Sequence, residues 1–142
     1  MLVLRGLQTV APAPTVLTIG NFDGVHLGHR ALLRRLVAHA ADSGLQPAVL
    51  TFEPHPREFF TPDSAPARLS TLREKLELLA DFGVQQAMVC PFNARFAGLT
   101  ADAFIEQVLH EAEQAFTDSK YNEAQTKYSK LRTQFREFLT AE

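Results

Sequence analysis

Two rhythms of apolar residues alternate along the first hundred positions. Short apolar, β-branched runs at 15–19, 48–52 and 86–90 read as buried strands, the first ending at Gly20 and the third closed by Pro91. Between them the spacing lengthens to that of helices. Leu32, Leu33, Leu36, Val37 and Ala40 predict a helix from Leu27 to about Ala41, with Gly44 as its stop. Thr71 and Glu74 form a capping box for a second helix through Leu76, Leu78 and Leu79, ending near Gly83. Thr100 caps a third, with Phe104, Ile105, Val108 and Leu109 on one face. A proline-rich loop with Pro54, Pro56, Pro62 and Pro66 follows the second strand. Strands separated by helices of this length predict an α/β fold, a Rossmann-like parallel sheet of about three strands.

After Gly98 the chain contains neither glycine nor proline. Residues 111–142 are rich in helix formers. Tyr121, Ala124, Tyr128, Leu131, Phe135 and Phe138 make one stripe at 3-4-3-4-3 spacing. Thr117, Asp118 and Ser119 mark the expected break, so this tail reads as two helices or one long one. The division expected is therefore 1–110, an α/β domain, and 111–142, a helical tail.

Candidate chemistry gathers in one place. Gly20-Asn21-Phe22-Asp23-Gly24-Val25-His26-Leu27-Gly28-His29 joins the first strand to the first helix. A glycine-rich turn at the carboxyl end of a parallel strand lets backbone approach a ligand closely. The helix behind it offers unpaired N–H groups and a positive dipole end to an anion. His26 and His29, three apart, can share one side of the first turn. Gly28 between them keeps a side chain from crowding a phosphate. Two imidazoles at that spot can donate hydrogen bonds as charge builds at phosphorus. A metal site with Asp23 is a weaker reading, because no third strong ligand lies nearby in sequence. A purely structural pair is the other.

Composition narrows the field. Of 142 residues, 46% are hydrophobic and 21% charged, values of an ordinary globular chain. The net charge of -2 argues against bulk attraction to nucleic acid or a membrane surface. No run approaches the apolar length of a membrane span, and Gln8, Pro12 and Pro14 break the pattern of a signal peptide. The single cysteine, Cys90, excludes an internal disulfide and predicts a buried core residue in a cytoplasmic protein.

His-x-Gly-His at a first strand–helix turn resembles the nucleotidyltransferase superfamily. The longer run Gly20 to His29 is more similar to bacterial FAD synthetases, including bifunctional riboflavin kinase–FMN adenylyltransferases. Thr51-Phe52-Glu53-Pro54-His55-Pro56 is a second match. Arg68-Leu69 with Leu72-Arg73-Glu74-Lys75-Leu76, Pro91-Phe92-Asn93 before Phe96, and Phe104-Ile105 extend it over roughly residues 1–110. The resemblance implies adenylyl transfer from ATP, with magnesium assisting, to FMN, giving FAD and pyrophosphate. It implies that Gly20, Asn21 and Phe22 line the adenylate site through backbone and that Asp23 and Gly24 shape the turn. His26 and His29 would stabilise the phosphate in the transition state. His55, between Pro54 and Pro56, would lie toward the phosphates or the flavin, or be a plain loop residue. His39 and His110 match nothing and read as solvated helix positions. Pro54-His55-Pro56 disfavours pantetheine-phosphate and nicotinamide-nucleotide adenylyltransferases.

The family pattern continues with a Gly-x-Asp/Asn-Phe-x-Phe-Gly segment and a Ser-Ser/Thr-x-x-Ile/Val-Arg segment that grips ATP phosphates; neither occurs in these 142 residues. The expectation is an incomplete pocket, with the first strand left at an open sheet edge that the tail's apolar stripe could cover. A catalytically inactive nucleotide-binding fragment is thus one alternative. An interaction or self-association module acting through the tail is another. Ala112, Ala115, Phe116, Tyr121, Asn122-Glu123-Ala124, Tyr128 and Leu131 resemble a single tetratricopeptide helix pair, a unit that needs neighbours to bury its face.

Overall fold

The computed structural model describes residues 1–6 and 13–106. Four strands, β1 (Leu2–Arg5), β2 (Thr15–Ile19), β3 (Gln46–Glu53) and β4 (Gln86–Pro91), form one sheet in the order β1-β4-β3-β2. Every neighbouring pair is parallel. The parallel α/β architecture is therefore as predicted, but with four strands rather than about three. The extra strand is Leu2–Arg5, which pairs with β4 from Leu2↔Gln86 to Arg5↔Val89. It escaped notice because four residues are too few to show a period. The strand predicted at 15–19 lies at one edge of the described sheet.

Helices fill the connections. α1 (Leu27–Ser43) links β2 to β3, and Gly44, at φ 66°, closes it in the left-handed conformation. α3 (Leu72–Asp81) links β3 to β4 and opens with the Thr71–Glu74 capping box, both halves of which are made. The proline-rich connection is not all loop. It contains α2 (Pro56–Phe60), with Pro56 in its first turn and His55 as its N-cap. A further short helix, α4 (Ala94–Ala97), is capped by Asn93, and residues 101–106 are helical after Thr100, whose hydroxyl accepts from the Ala103 N–H.

The core is built from Phe22, Val25, Leu33, Leu36, Val49, Leu79 and Val84. On α1 the buried stripe is Leu33, Leu36 and Ala40, whereas Leu32 is exposed. Cys90 is buried, and His39 is exposed, as expected. On α3 the buried positions are Leu79 and, one turn earlier, Lys75. No helix among the described residues is long and apolar enough to cross a membrane. The tail stripe, the tetratricopeptide-like pattern, Val108, Leu109 and His110 lie outside the described residues.

Candidate active site

Because β2, β3 and β4 run parallel, the segments that leave their carboxyl ends share one edge of the sheet. That edge is where open α/β sheets bind ligands. The three segments are the turn after Ile19, the Pro54–Phe60 region after Glu53, and the Phe92–Ala97 region after Pro91.

The first turn is held in an uncommon backbone shape. Phe22, Gly24 and Val25 have φ of 52°, 61° and 39°, a region that disfavours side chains other than glycine. Phe22 can be kept there because its ring is wholly buried in the core. Gly24 has no alternative: a Cβ at this position would sit 2.8 Å from the Leu69 Cβ. At Gly20 a Cβ would come within 3.0 Å of the Phe22 ring. The one large side chain of the turn, Phe22, therefore faces inward.

Asp23 ties the turn to the segment ahead of α3. Its carboxylate accepts from the Leu69 N–H at 2.9 Å, the Ser70 N–H at 2.9 Å and the Ser70 hydroxyl at 2.9 Å. The Gly24 N–H in turn donates to the Ser70 hydroxyl oxygen at 2.9 Å. Burial alone would push the Asp23 carboxyl up; the donors from Leu69 and Ser70 outweigh it and hold the group below the ordinary aspartate range. Asp23 is thus a turn-shaping residue.

His26 is the N-cap of α1, with its Nδ1 accepting the His29 N–H at 3.3 Å. The two imidazoles stack, centroids 3.6 Å apart and planes 17° from parallel. His29 also rests against the Phe22 ring at 4.9 Å. Since His26 Nδ1 accepts, that ring carries its hydrogen on Nε2. His29 Nδ1 is buried with no partner among the described residues. An N–H there would be stranded, so this ring too carries its hydrogen on Nε2. Burial, then the His26 ring and the Lys75 cation, lower the His29 pKa; Asp23 opposes them. The result is a stacked pair of Nε2–H donors. The Leu27 and Gly28 amides, at the positive end of α1, have no acceptor among the described residues. At Gly28 a Cβ would meet the His26 ring at 3.3 Å. Gly28 lets the imidazole lie across the helix start.

His55 does not join this pair. Its Nδ1 caps α2 by accepting the Arg57 N–H at 3.1 Å, and no hydrogen bond or ring contact links it to His26 or His29 among the described residues. Pro54, joined to Glu53 by a cis peptide, and Pro56 flank it. The same segment carries an aromatic surface. Phe92 meets Phe52, Phe59, Phe60 and Phe96 edge-on or tilted at 5.3–5.8 Å, and Phe60 is 63% exposed.

Three further positions tie this edge together: Arg68 and Lys75, quoted from the sequence only within the family match, and Ser70, which was not. Arg68 pairs with Glu53 at 2.6 Å and with Glu58, holding the connection to the end of β3 and to α2. Ser70 receives and donates as above. Lys75 is only 4% exposed, with its ammonium 3.5 Å from the Thr51 hydroxyl. A lysine in the apolar stripe that includes Leu72, Leu76 and Leu79 was the available signal. No three His, Cys, Asp or Glu side chains gather into a metal-holding group among the described residues.

A parallel sheet with a strained turn, a capped helix start and a stacked histidine pair at the strand ends is a Rossmann-like architecture. A solved structure described as a macrolide-efflux protein from Streptococcus pneumoniae shares the fold, with a TM-score of 0.66 and 24% identity, over 79% of this chain and 38% of that one. A model of the FAD synthetase family matches residues 8–117, and the chain belongs to that family. It is 50% identical over 112 residues to the bifunctional riboflavin kinase/FMN adenylyltransferase of Escherichia coli K12, covering 77% of this chain and 36% of that protein. The proteins of the same name from Haemophilus influenzae and Pseudomonas fluorescens are 47% and 44% identical over 111 residues, each match covering 77% of this chain and 36% and 35% of the relative. The chain thus spans about a third of the length of these relatives.

Proposed function

We propose that the edge formed by the 20–29 turn and the 54–60 segment is an FMN adenylyltransferase site, taking MgATP and FMN to FAD and pyrophosphate. The observation that carries this reading is the His26–His29 pair, stacked at 3.6 Å over a helix start whose Leu27 and Gly28 amides have no acceptor among the described residues. In the reaction an oxygen of the FMN phosphate attacks the α-phosphorus of ATP. A new P–O bond forms, the bond from the α-phosphorus to its bridging oxygen breaks, and pyrophosphate leaves with that electron pair. Negative charge grows on the phosphoryl oxygens and the leaving group. Two preorganised Nε2–H donors and the positive end of α1 are suited to stabilise it. Gly20, Asn21 and Phe22 offer backbone to the adenylate, and Asp23 and Gly24 hold that backbone in place. Magnesium belongs to the substrate in this scheme, carried on the ATP phosphates.

The flavin half rests on different features. An isoalloxazine ring is flat and largely apolar, and the exposed face of Phe59 and Phe60 on α2 is a platform for it. His55 shapes this side as the cap of α2, with Pro54 and Pro56 around it. We place the limit of the domain near residue 110 and the protein in the cytoplasm, in keeping with its buried cysteine.

The test is FAD formation from FMN and MgATP, followed by chromatography. His29→Ala is expected to lower the rate about a hundred- to a thousandfold, the usual loss when a donor at developing charge is removed. Turnover within threefold of the parent protein would refute the role of His29.

A further inference from the structure

A buried lysine is rare without a close anionic partner. Lys75 lies on the core-facing side of α3, one turn before the fully buried Leu79. Among the described residues its one hydrogen-bond partner is neutral: the ammonium donates to Thr51 Oγ1 across 3.5 Å. The Thr51 hydroxyl, itself wholly buried on β3, donates onward to the Asn21 carbonyl at 3.0 Å. One relay therefore runs from the cation to the middle of the 20–24 turn. Asn21 also holds a buried side-chain oxygen with no partner among the described residues.

The charges around Lys75 come from each element that meets at the site. Glu53 ends β3, Asp23 sits in the turn, Glu58 is on α2 and Arg68 is in the segment before α3; all four act on the ammonium. Burial is the largest influence and pushes the lysine below its ordinary range, against Glu53 and Asp23. The same cation is felt at His29 on α1. Filling space cannot explain the choice, since Met or Leu would do that without bringing a charge indoors.

We propose that Lys75 is a positioning residue of the adenylyl-transfer site, an internal cation that locks the 20–24 turn through Thr51 and lends positive potential to His29. This rests on the reading of the site given above. It assigns Lys75 no contact with substrate. Its work is to hold the backbone that receives the adenylate and to disfavour a positive charge on His29.

The experiment is a side-chain NMR titration of His29 in the full chain without substrates, for the parent protein, Lys75→Met and Thr51→Val. In Lys75→Met the His29 midpoint is expected to move up, because a repelling charge is gone. In Thr51→Val the charge remains, so the midpoint stays while the Asn21 and Phe22 amide signals shift. A His29 midpoint unchanged in Lys75→Met would overturn the proposal, whatever the outcome of the FAD assay. Should Lys75→Met fail to fold, Lys75→Gln takes its place with the same expectation. Where FAD formation is present, Lys75→Met is expected to lower kcat about a hundredfold, the scale of a small misplacement of reacting groups, with KM for FMN unchanged. A loss confined to KM for FMN would also overturn it. Absence of FAD formation in the parent protein would count against the adenylyltransferase reading and leave the titration as the judge of Lys75.

Discussion

Replacing Asp23 with alanine separates the shape of the turn from its chemistry. In the native protein three donors converge on this carboxylate: the Leu69 N–H, the Ser70 N–H and the Ser70 hydroxyl, each at 2.9 Å. Hydrogen bonds to a charged acceptor contribute about 1.5–3 kcal/mol each when buried. Leu69 is exposed, so water can take over part of the load. The expected net loss is about 2 kcal/mol, closer to one such bond than to three. For a domain of about 110 residues, unfolding with about 2.1 cal/mol/K per residue, that lowers Tm by roughly 9 °C. Urea or thermal unfolding at pH 7 measures it. The pH dependence gives a second check. The Asp23 carboxyl is held below its ordinary range in the folded state, so the unfolded chain takes up the proton first as pH falls. Its stabilisation is thus fully present above roughly pH 4 and is lost as pH drops through the lowered folded value. Glu58, also lowered, chiefly by Arg68, is common to both proteins, and Asp23 is the smallest of the influences on it, so it adds little to the difference. The stabilities of the native protein and Asp23→Ala should converge in acid. A difference below about 0.5 kcal/mol at pH 7, within the ordinary scatter of surface substitutions, would refute the reasoning. So would a difference that persists undiminished at acid pH.

Gly24→Ala combines a positive φ with a 2.8 Å clash against the Leu69 Cβ. It should destabilise by about 1–3 kcal/mol in urea unfolding and weaken ATP binding in parallel. Phe60→Ala removes the most exposed ring of the aromatic surface and should weaken FMN binding about tenfold by flavin fluorescence, leaving ATP binding intact; an equal loss for both ligands would count against a separate flavin side.

The long elements were legible because their signals are local and redundant. Strand 15–19 and helix α1 each combine an apolar rhythm with a Gly stop, and the Thr71–Glu74 box marks the start of α3 to the residue. The 20–29 turn was legible for another reason: a run of special-conformation residues has few uses besides bringing backbone to a ligand. Legibility failed where the cause lies far off in sequence. β1 becomes a strand only because β4 lies beside it. The place of Gly28 depends on how the His26 ring folds back over the helix start. His55 looked like loop chemistry, yet its Nδ1 caps a five-residue helix that the prolines had disguised. Arg68 and Lys75 act through partners 10–24 residues away, a separation that no periodicity reveals.

In the proposed site the start of α1, with its two histidines, receives the phosphates of ATP. A titration of the protein with MgATP, followed by backbone amide NMR, tests it most directly. Saturable shifts are expected, largest at Leu27, Gly28 and His29, and they should disappear in a His26→Ala, His29→Ala double variant. No saturable shift, or shifts centred elsewhere and unchanged in the double variant, would contradict it.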